Sequence, residues 1–306
     1  MDINFVNKVA VITGAGSGLG KSYAIELSRR GAKVVVNDIS MLKDRSGKKY
    51  YSADIVAQKI KSAGGEAIAN YDSVTEEKSA DNIVQSALNK YSKIDILINN
   101  AGINYDISFR KMTEKDFDSV IKVNLYGSFN VTRAVFPSMI ENCYGRIVMT
   151  TSIAGLYGNY GQVNYGSAKL GLVGFMNSLK EEGLRHNIYV NTISPLASTS
   201  SVMDSVFPET ISSMINPESV TAMVMYLCSD QCKTTGHIVG ACGGYYTRTR
   251  IVENQGCYLG DSSRTTPELI ALKYNLISEN KGIKSYTNTI NYLSNVCRVL
   301  LTKNKP

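Results

Sequence analysis

At 306 residues, 43% hydrophobic and 19% charged, the chain has the composition of an ordinary globular protein and enough apolar mass for a large core. Its net charge of +7 suits an anionic partner such as a phosphorylated ligand. No basic stripe interleaved with aromatics occurs, which argues against nucleic-acid binding.

Strand and helix signals alternate along the chain. Val9-Ala10-Val11-Ile12-Thr13 is a short apolar run ending in glycines, followed by a helix through Ala24 and Leu27 that stops at Gly31. The strand Lys33 to Asn37 leads to a polar loop reaching about Ser52, then a helix through Ile55 and Ile60 that ends at Gly64-Gly65. Next come the strand Glu66 to Asn70, a helix from Ala80 to Tyr91 and the strand Asp95 to Asn99. A long helix around Phe117 to Met139, the strand Gly145 to Thr150, a helix carrying Tyr165 and Lys169, and the strand Ile188 to Thr192 follow. Near-continuous apolar strands alternating with helices predict an α/β fold, a parallel sheet covered on both faces. The expected organisation is a domain over 1–245 and a C-terminal helical extension over 246–306.

Two features carry chemistry. Thr13-Gly14-Ala15-Gly16-Ser17-Gly18-Leu19-Gly20 lies between a strand and a helix, where glycines admit a pyrophosphate and the helix N-terminus favours its charge. Asp38 ends the next strand about twenty residues on, where a carboxylate can bind the adenosine ribose hydroxyls. Ser17 and Ile39 offer no positive charge for a ribose 2′-phosphate, so NAD is expected over NADP. Such a turn can also be purely structural, and Asp38 could cap a loop.

The second feature is Tyr165 with Lys169 four residues on, one helical turn along the same face, and Ser152 thirteen residues upstream. A phenol alone is a poor acid or base at neutral pH, and an adjacent ammonium would lower its pKa. The bland alternative is a surface tyrosine beside a lysine.

Taken together, Gly14-x-x-x-Gly18-x-Gly20, Asn99-Asn100-Ala101-Gly102, Asn124, Ser152, Tyr165 and Lys169 resemble the motif set of the short-chain dehydrogenase/reductase family, over about residues 5 to 245. The resemblance implies a Rossmann-type doubly wound parallel sheet, an oxidoreductase and a nicotinamide cofactor. It implies that Tyr165 exchanges the substrate proton, Lys169 lowers the phenol pKa and meets the nicotinamide ribose, and Ser152 positions the substrate oxygen. Asn124 would hold a relay water, Asp72 and Ser73 would reach the adenine, Asn100, Ala101 and Gly102 would border the adenosine ribose, and Pro195 the nicotinamide amide.

Asn70 to Val74, Gly155 to Tyr165 and Asn191 to Pro195 further resemble the dehydrogenase unit of peroxisomal multifunctional enzymes of type 2. That implies NAD-dependent oxidation of (3R)-hydroxyacyl-CoA in fatty-acid β-oxidation, a homodimer and a peroxisomal address. A 17β-hydroxysteroid dehydrogenase, a 3-oxoacyl carrier reductase and a catalytically silent dinucleotide-binding sensor or scaffold are the alternatives. The chain departs from the family after Asp38, where Ile39 to Arg45 replaces a glycine-rich loop. It departs again after Pro195, where Leu196 to Val202 lacks an arginine, and at Tyr245, where tryptophan is common.

Lys43, Arg45, Lys48 and Lys49 could attract CoA phosphates or form a solvated loop. Tyr157 and Tyr160 could line an acyl pocket or pack under the active-site loop. In the tail, Thr266-Pro267 reads as a helix start, and Ile290, Leu293, Val296, Leu300 and Leu301 form an apolar stripe from about Thr287 to Thr302. The six cysteines and two histidines show no metal-ligand spacing. Reduced, mostly buried thiols in an intracellular, soluble protein are expected, with no membrane span and no secretory signal. The ending Lys303-Asn304-Lys305-Pro306 is no peroxisomal tripeptide, so a cytoplasmic location is the other expectation.

Overall fold

The computed structural model describes residues 2–43, 47–198, 208–260, 263 and 265–303. Arg45, the stretch 199–202 and the last three residues, all singled out above, lie outside the described residues. The chain divides into two compact units, Met1–Arg248 and Thr249–Pro306.

The first unit is built on an eight-stranded sheet. Its strands are β1 (Val9–Thr13), β2 (Lys33–Asn37), β5 (Glu66–Asn70), β6 (Ile96–Asn99), β7 (Gly145–Thr150), β8 (Ile188–Pro195), β9 (Ile238–Cys242) and β10 (Tyr245–Thr249). Their spatial order is β10-β9-β8-β7-β6-β1-β2-β5. The recorded pairings from β5 across to β9 are parallel. Only Gly243 and Gly244 separate β9 from β10, both with positive φ (+51° and +83°), and two residues can close only an antiparallel hairpin.

Both faces of this sheet are apolar because successive side chains on a strand point to opposite faces. Ala10, Ile12, Val34, Val36, Ile96, Ile98 and Val148 pack into one core, with helices α1 (Gly18–Arg29) and α2 (Ser52–Ser62) and the helix Pro217–Cys228. Val11, Val35, Leu97, Ile147 and Met149 enter the other core, with α3 (Glu77–Tyr91), α5 (Gly127–Glu141) and α7 (Val163–Gly183). This interleaving is why the strands read as continuous hydrophobic runs. The chain leaves β1 for β2 on one side and reaches β6 on the other, so the strand order reverses at β1. In such sheets a crevice opens at the carboxyl ends of the strands at that point.

Two local features differ from the sequence reading. The polar loop before Ser52 contains a short antiparallel hairpin, β3 (Met41–Lys43) with β4 (Lys49–Tyr51), that sets Lys43 opposite Lys49. Three-residue strands with a charged end carry too little pattern to be read from sequence. The long helix is α4 (Glu114–Ile121) and α5 joined by a π-helical turn, Lys122–Tyr126. A single extra residue in a turn does not disturb the apolar spacing enough to be seen.

The six cysteines are free, but only Cys228 and Cys232 are buried; Cys143 and Cys297 are exposed and Cys242 and Cys257 half-buried. The expectation of mostly buried thiols is thereby corrected: three of the exposed or half-buried ones lie in turns and in the second unit, away from the two cores.

In the second unit, Thr266 caps the helix Pro267–Ile277, its hydroxyl accepting from the Leu269 N–H at 3.2 Å. A second helix spans Thr289–Lys303. No described helix is long and apolar enough to cross a membrane.

Candidate active site

The glycine turn lies at the carboxyl end of β1, and backbone proximity dictates its glycines. A Cβ on Gly14, whose φ is +62°, would stand 2.8 Å from the Ala101 Cα; one on Gly20 would stand 2.2 Å from the Gly14 carbonyl. Gly16 touches the next strand's carboxylate: its N–H donates to Asp38 Oδ2 at 2.9 Å, and a Cβ there would collide with Ser52 Oγ. Asp38 is buried and also accepts from the Ser40 N–H at 2.8 Å. Each of its oxygens keeps a lone pair for a further donor such as a ribose hydroxyl. Ser17 precedes α1 without a side-chain cap bond. The first turn therefore retains donors for an anion.

The end of β6 braces this turn. Asn100 Nδ2 donates to the carbonyls of Thr13 and Gly14, and the N–H groups of Asn100 and Ala101 both donate to Thr13 Oγ1 at 3.1 Å. Thr13 is a contributor that sequence reading missed, since a threonine ending a strand carries no distinctive signal. Asp72 and Ser73 follow β5. The Asp72 carboxylate accepts from Asn70 and Asn82, and Ser73 Oγ pairs with Thr75 Oγ1 at 2.9 Å. In this structure Ser73 acts within its own turn, whereas Asp72 also ties that turn to α3 through Asn82.

The second cluster forms where β7, α6 (Ile153–Tyr157) and α7 meet. Ser152 caps α6, its Oγ accepting from the Ala154 N–H at 3.2 Å, and it hydrogen-bonds Tyr165. Gly155 lets α6 lie against α7, where a Cβ would stand 2.8 Å from the Leu170 nitrogen. Thr151 Oγ1 donates to the Lys169 carbonyl at 2.6 Å, pinning α7 to the strand end.

Lys169 is buried, its Nζ donating to the Thr150 carbonyl at 2.8 Å and lying 5.5 Å from the centroid of the Tyr165 ring. Burial lowers the Lys169 pKa to about 8. Asn124, in the π turn, donates to the carbonyls of Ile103 and Val120, while its Oδ1 is buried without a partner. A Cβ on Gly102 would come within 2.5 Å of that Oδ1 and 3.4 Å of Lys169 Nζ. The absent side chain thus keeps an opening between them. Pro195 closes β8, beside the end of β7.

One electrostatic expectation changes. Tyr165, half-buried, stands above the usual phenol range because its hydroxyl is partly withdrawn from water; its bond to Ser152 lowers it and the Asp106 carboxylate raises it. Lys169 directs its proton to Thr150 and is itself depressed, so its ammonium does not dominate the phenol in this state.

A dinucleotide fits the arrangement. Three glycines leave no room for side chains in the turn, and Ser52 Oγ, Asn124 Oδ1, Thr150 Oγ1 and Ser194 Oγ are buried acceptors or donors without partners around the crevice. Tyr157 and Tyr160 are exposed rather than packed beneath a loop.

The family described as short chain dehydrogenase matches residues 8–211. The chain belongs to the short chain dehydrogenase family. It is therefore an oxidoreductase, and its sheet is the Rossmann-type sheet of that family. It is 45% identical over 88% of its length to the peroxisomal multifunctional enzyme A of Dictyostelium discoideum, of which it spans 60%. The solved full-length peroxisomal multifunctional enzyme type 2 of Drosophila melanogaster superposes with a TM-score of 0.83 at 35% identity, over 99% of this chain and 51% of that one. A 7α-hydroxysteroid dehydrogenase solved with NADH and 7-oxo glycochenodeoxycholic acid superposes with a TM-score of 0.70 at 30% identity, over 79% and 95% of the two chains.

Lys169 makes a prediction about stability. Its folded pKa of about 8 lies below the 10.5 of a free lysine, so between these values the unfolded chain binds more protons. Stability contributed at this site therefore rises with pH over that window. In urea titrations, wild type should gain about 3 kcal/mol on Lys169→Met between pH 8 and 10.5. Parallel pH curves would show that the amine is not desolvated.

Proposed function

We propose that this chain is an NAD-dependent dehydrogenase that oxidises (3R)-hydroxyacyl-CoA to 3-oxoacyl-CoA. The observation that carries the reading is the convergence of Asn124, Ser152, Tyr165 and Lys169 on one crevice with the glycine turn and Asp38. Its likeness to relatives named as peroxisomal multifunctional enzymes supports the substrate class.

NAD bound here would supply a hydride acceptor. The backbone of Gly14, Ser17, Gly18, Leu19 and Gly20 would hold its pyrophosphate, and Asp38 its adenosine ribose. We assign Asp72 and Ser73 to the adenine side, Asn100, Ala101 and Gly102 to the passage past the ribose, and Pro195 to the nicotinamide end. Tyr165 as phenolate takes the substrate hydroxyl proton, while Ser152 Oγ hydrogen-bonds the same oxygen and stabilises charge developing on it. Lys169, whose amine is poised near neutral pH, passes the proton on toward the Asn124 Oδ1 through a water. Burial that raises the phenol makes this relay necessary, because Tyr165 must be deprotonated before it can act.

The reading includes a homodimer. Tyr126 at the end of the π turn, Phe129 on α5, and Val163 and Leu170 on α7 are large exposed apolar side chains on neighbouring helices, and Phe129 lies 6.2 Å from the ring of Phe175. An exposed helix-pair face of this kind suits a second copy. We assign the apolar stripe of the helix Thr289–Lys303 a packing role rather than a chemical one. A peroxisomal location is part of the proposal and rests on the named relatives.

A steady-state screen with 3-hydroxyacyl-CoA of varied chain length, both C3 enantiomers and hydroxysteroids tests the reading. Turnover of the (3R)-acyl-CoA series is expected, and turnover of hydroxysteroids alone would replace it. Tyr165→Phe should lose at least about 1000-fold in kcat with NADH binding retained, since the proton carrier goes and the pocket shape stays. Rates like those of the wild type would remove the mechanism. Asp38→Ala with Ile39→Arg should turn preference toward NADP, and an unchanged NAD/NADP ratio would show that Asp38 does not meet the ribose.

A further inference from the structure

The helix that carries Tyr165 starts without help from the residue in front of it. Gln162 makes no side-chain bond to the first turn of α7; its Nε2 donates to Asp106 Oδ1 at 2.8 Å instead. The first N–H groups of a helix have no intrahelical acceptor, so the Tyr165 N–H needs one from elsewhere. Asn164 Oδ1 supplies it, at 2.8 Å. Asn164 is fully buried, and its Nδ2 donates to the Tyr105 carbonyl at 3.1 Å and the Asp116 carbonyl at 3.4 Å. One amide thus joins the start of α7, the segment after β6 and the first turn of α4.

The segment after β6 serves a second asparagine. Two residues before Tyr105, the Ile103 carbonyl accepts from Asn124 Nδ2 at 2.8 Å. Asn124 and Asn164 are both wholly buried, and both hang on carbonyls of this short stretch of backbone. The phenol-bearing turn and the relay residue therefore share a brace. The Ile107 N–H, which donates to the Gly161 carbonyl at 2.9 Å, extends that brace to the turn before α7.

We propose that Asn164 is a positioning residue for proton transfer, its amide holding Tyr165 in register with Asn124 through the carbonyls of Ile103 and Tyr105. The inference rests on Tyr165 as the proton carrier and adds to the four a residue that acts only through its neighbour. The effect is geometric, because the bond to Asn164 Oδ1 fixes the backbone from which the phenol projects. Misplacing a reacting group by about 1 Å can cost about 100-fold in rate.

The test is steady-state oxidation of (3R)-3-hydroxybutyryl-CoA with NAD by the full 306-residue chain, in H2O and in D2O. Asn164→Ala should lower kcat by about 100-fold, with KM and NADH binding changed by less than about threefold. Its solvent isotope effect on kcat should rise, since proton transfer becomes the slow step. General loosening of the pocket would instead weaken NADH binding and leave that effect unchanged. Asn164→Asp is the conservative variant. Its protonated carboxyl can donate to the Tyr105 carbonyl and accept the Tyr165 N–H, as the amide does. Burial favours that neutral form, so the variant should keep most of the wild-type rate at low pH. It should fall behind as pH rises and the acid ionises beside two carbonyls. Gln162→Ala, which removes only the bond to Asp106, should keep kcat within about twofold of wild type.

A wild-type rate in Asn164→Ala, a loss without a raised solvent isotope effect, or an equal loss in Gln162→Ala would overturn the inference while leaving Tyr165 in place. If Asn164→Ala does not fold, Asn164→Asp decides, and a ratio to wild type that stays constant with pH overturns it. Loss of the Tyr165 reading shows separately, as undiminished turnover in Tyr165→Phe.

Discussion

Desolvation of the Lys169 amine is the constraint around which the site is arranged. Taking an ammonium out of water costs several kcal/mol even after relaxation. The fold offers it one carbonyl, that of Thr150, and no carboxylate among its hydrogen-bond partners. Burial therefore holds its pKa down to about 8, well below that of a free lysine. Thr151 anchors the helix that carries it, and Gly102 leaves open the path toward Asn124. The two halves of this arrangement come from different chain segments, so the sheet must be complete before the amine is buried.

The sheet also decides where the two halves of the chemistry meet. Strand order reverses at β1, so the glycine turn at its end faces the end of β6, while β7 brings Ser152 up from the neighbouring position and its Thr150 carbonyl holds the Lys169 amine of α7. The Asn100 and Thr13 bonds lock the glycine turn to β6. The π turn widens the helix at Asn124, sending its side chain back to the Ile103 and Val120 carbonyls and leaving Oδ1 unpartnered. A regular helix would have no reason to present that oxygen.

The alternation of apolar strands with helices, the glycine turn with Asp38 and the Ser152–Tyr165–Lys169 grouping were legible because each depends on short-range pattern. Alternating burial makes the strands apolar throughout, a strand-turn-helix demands glycine, and a helical turn places Lys169 beside Tyr165. What escaped depends on contacts distant in sequence. Asp106 and Gln162 are fifty-six positions apart, and nothing in either segment announces the bond. Thr13 serves the N–H groups of residues nearly ninety positions away. The direction of the Tyr165 pKa was misjudged for the same reason: spacing reveals a neighbouring lysine, whereas burial of the phenol depends on everything packed above it.

Tyr157 and Tyr160 stand exposed, whereas Lys169 and Asn124 are buried. The most direct measurement of the chemistry follows the hydride itself, with (3R)-3-hydroxybutyryl-CoA deuterated at C3 incubated with the protein and NAD. The account predicts NADH carrying the label at C4 of its nicotinamide. NADH that forms without deuterium, or no NADH from any labelled 3-hydroxyacyl-CoA, would contradict it.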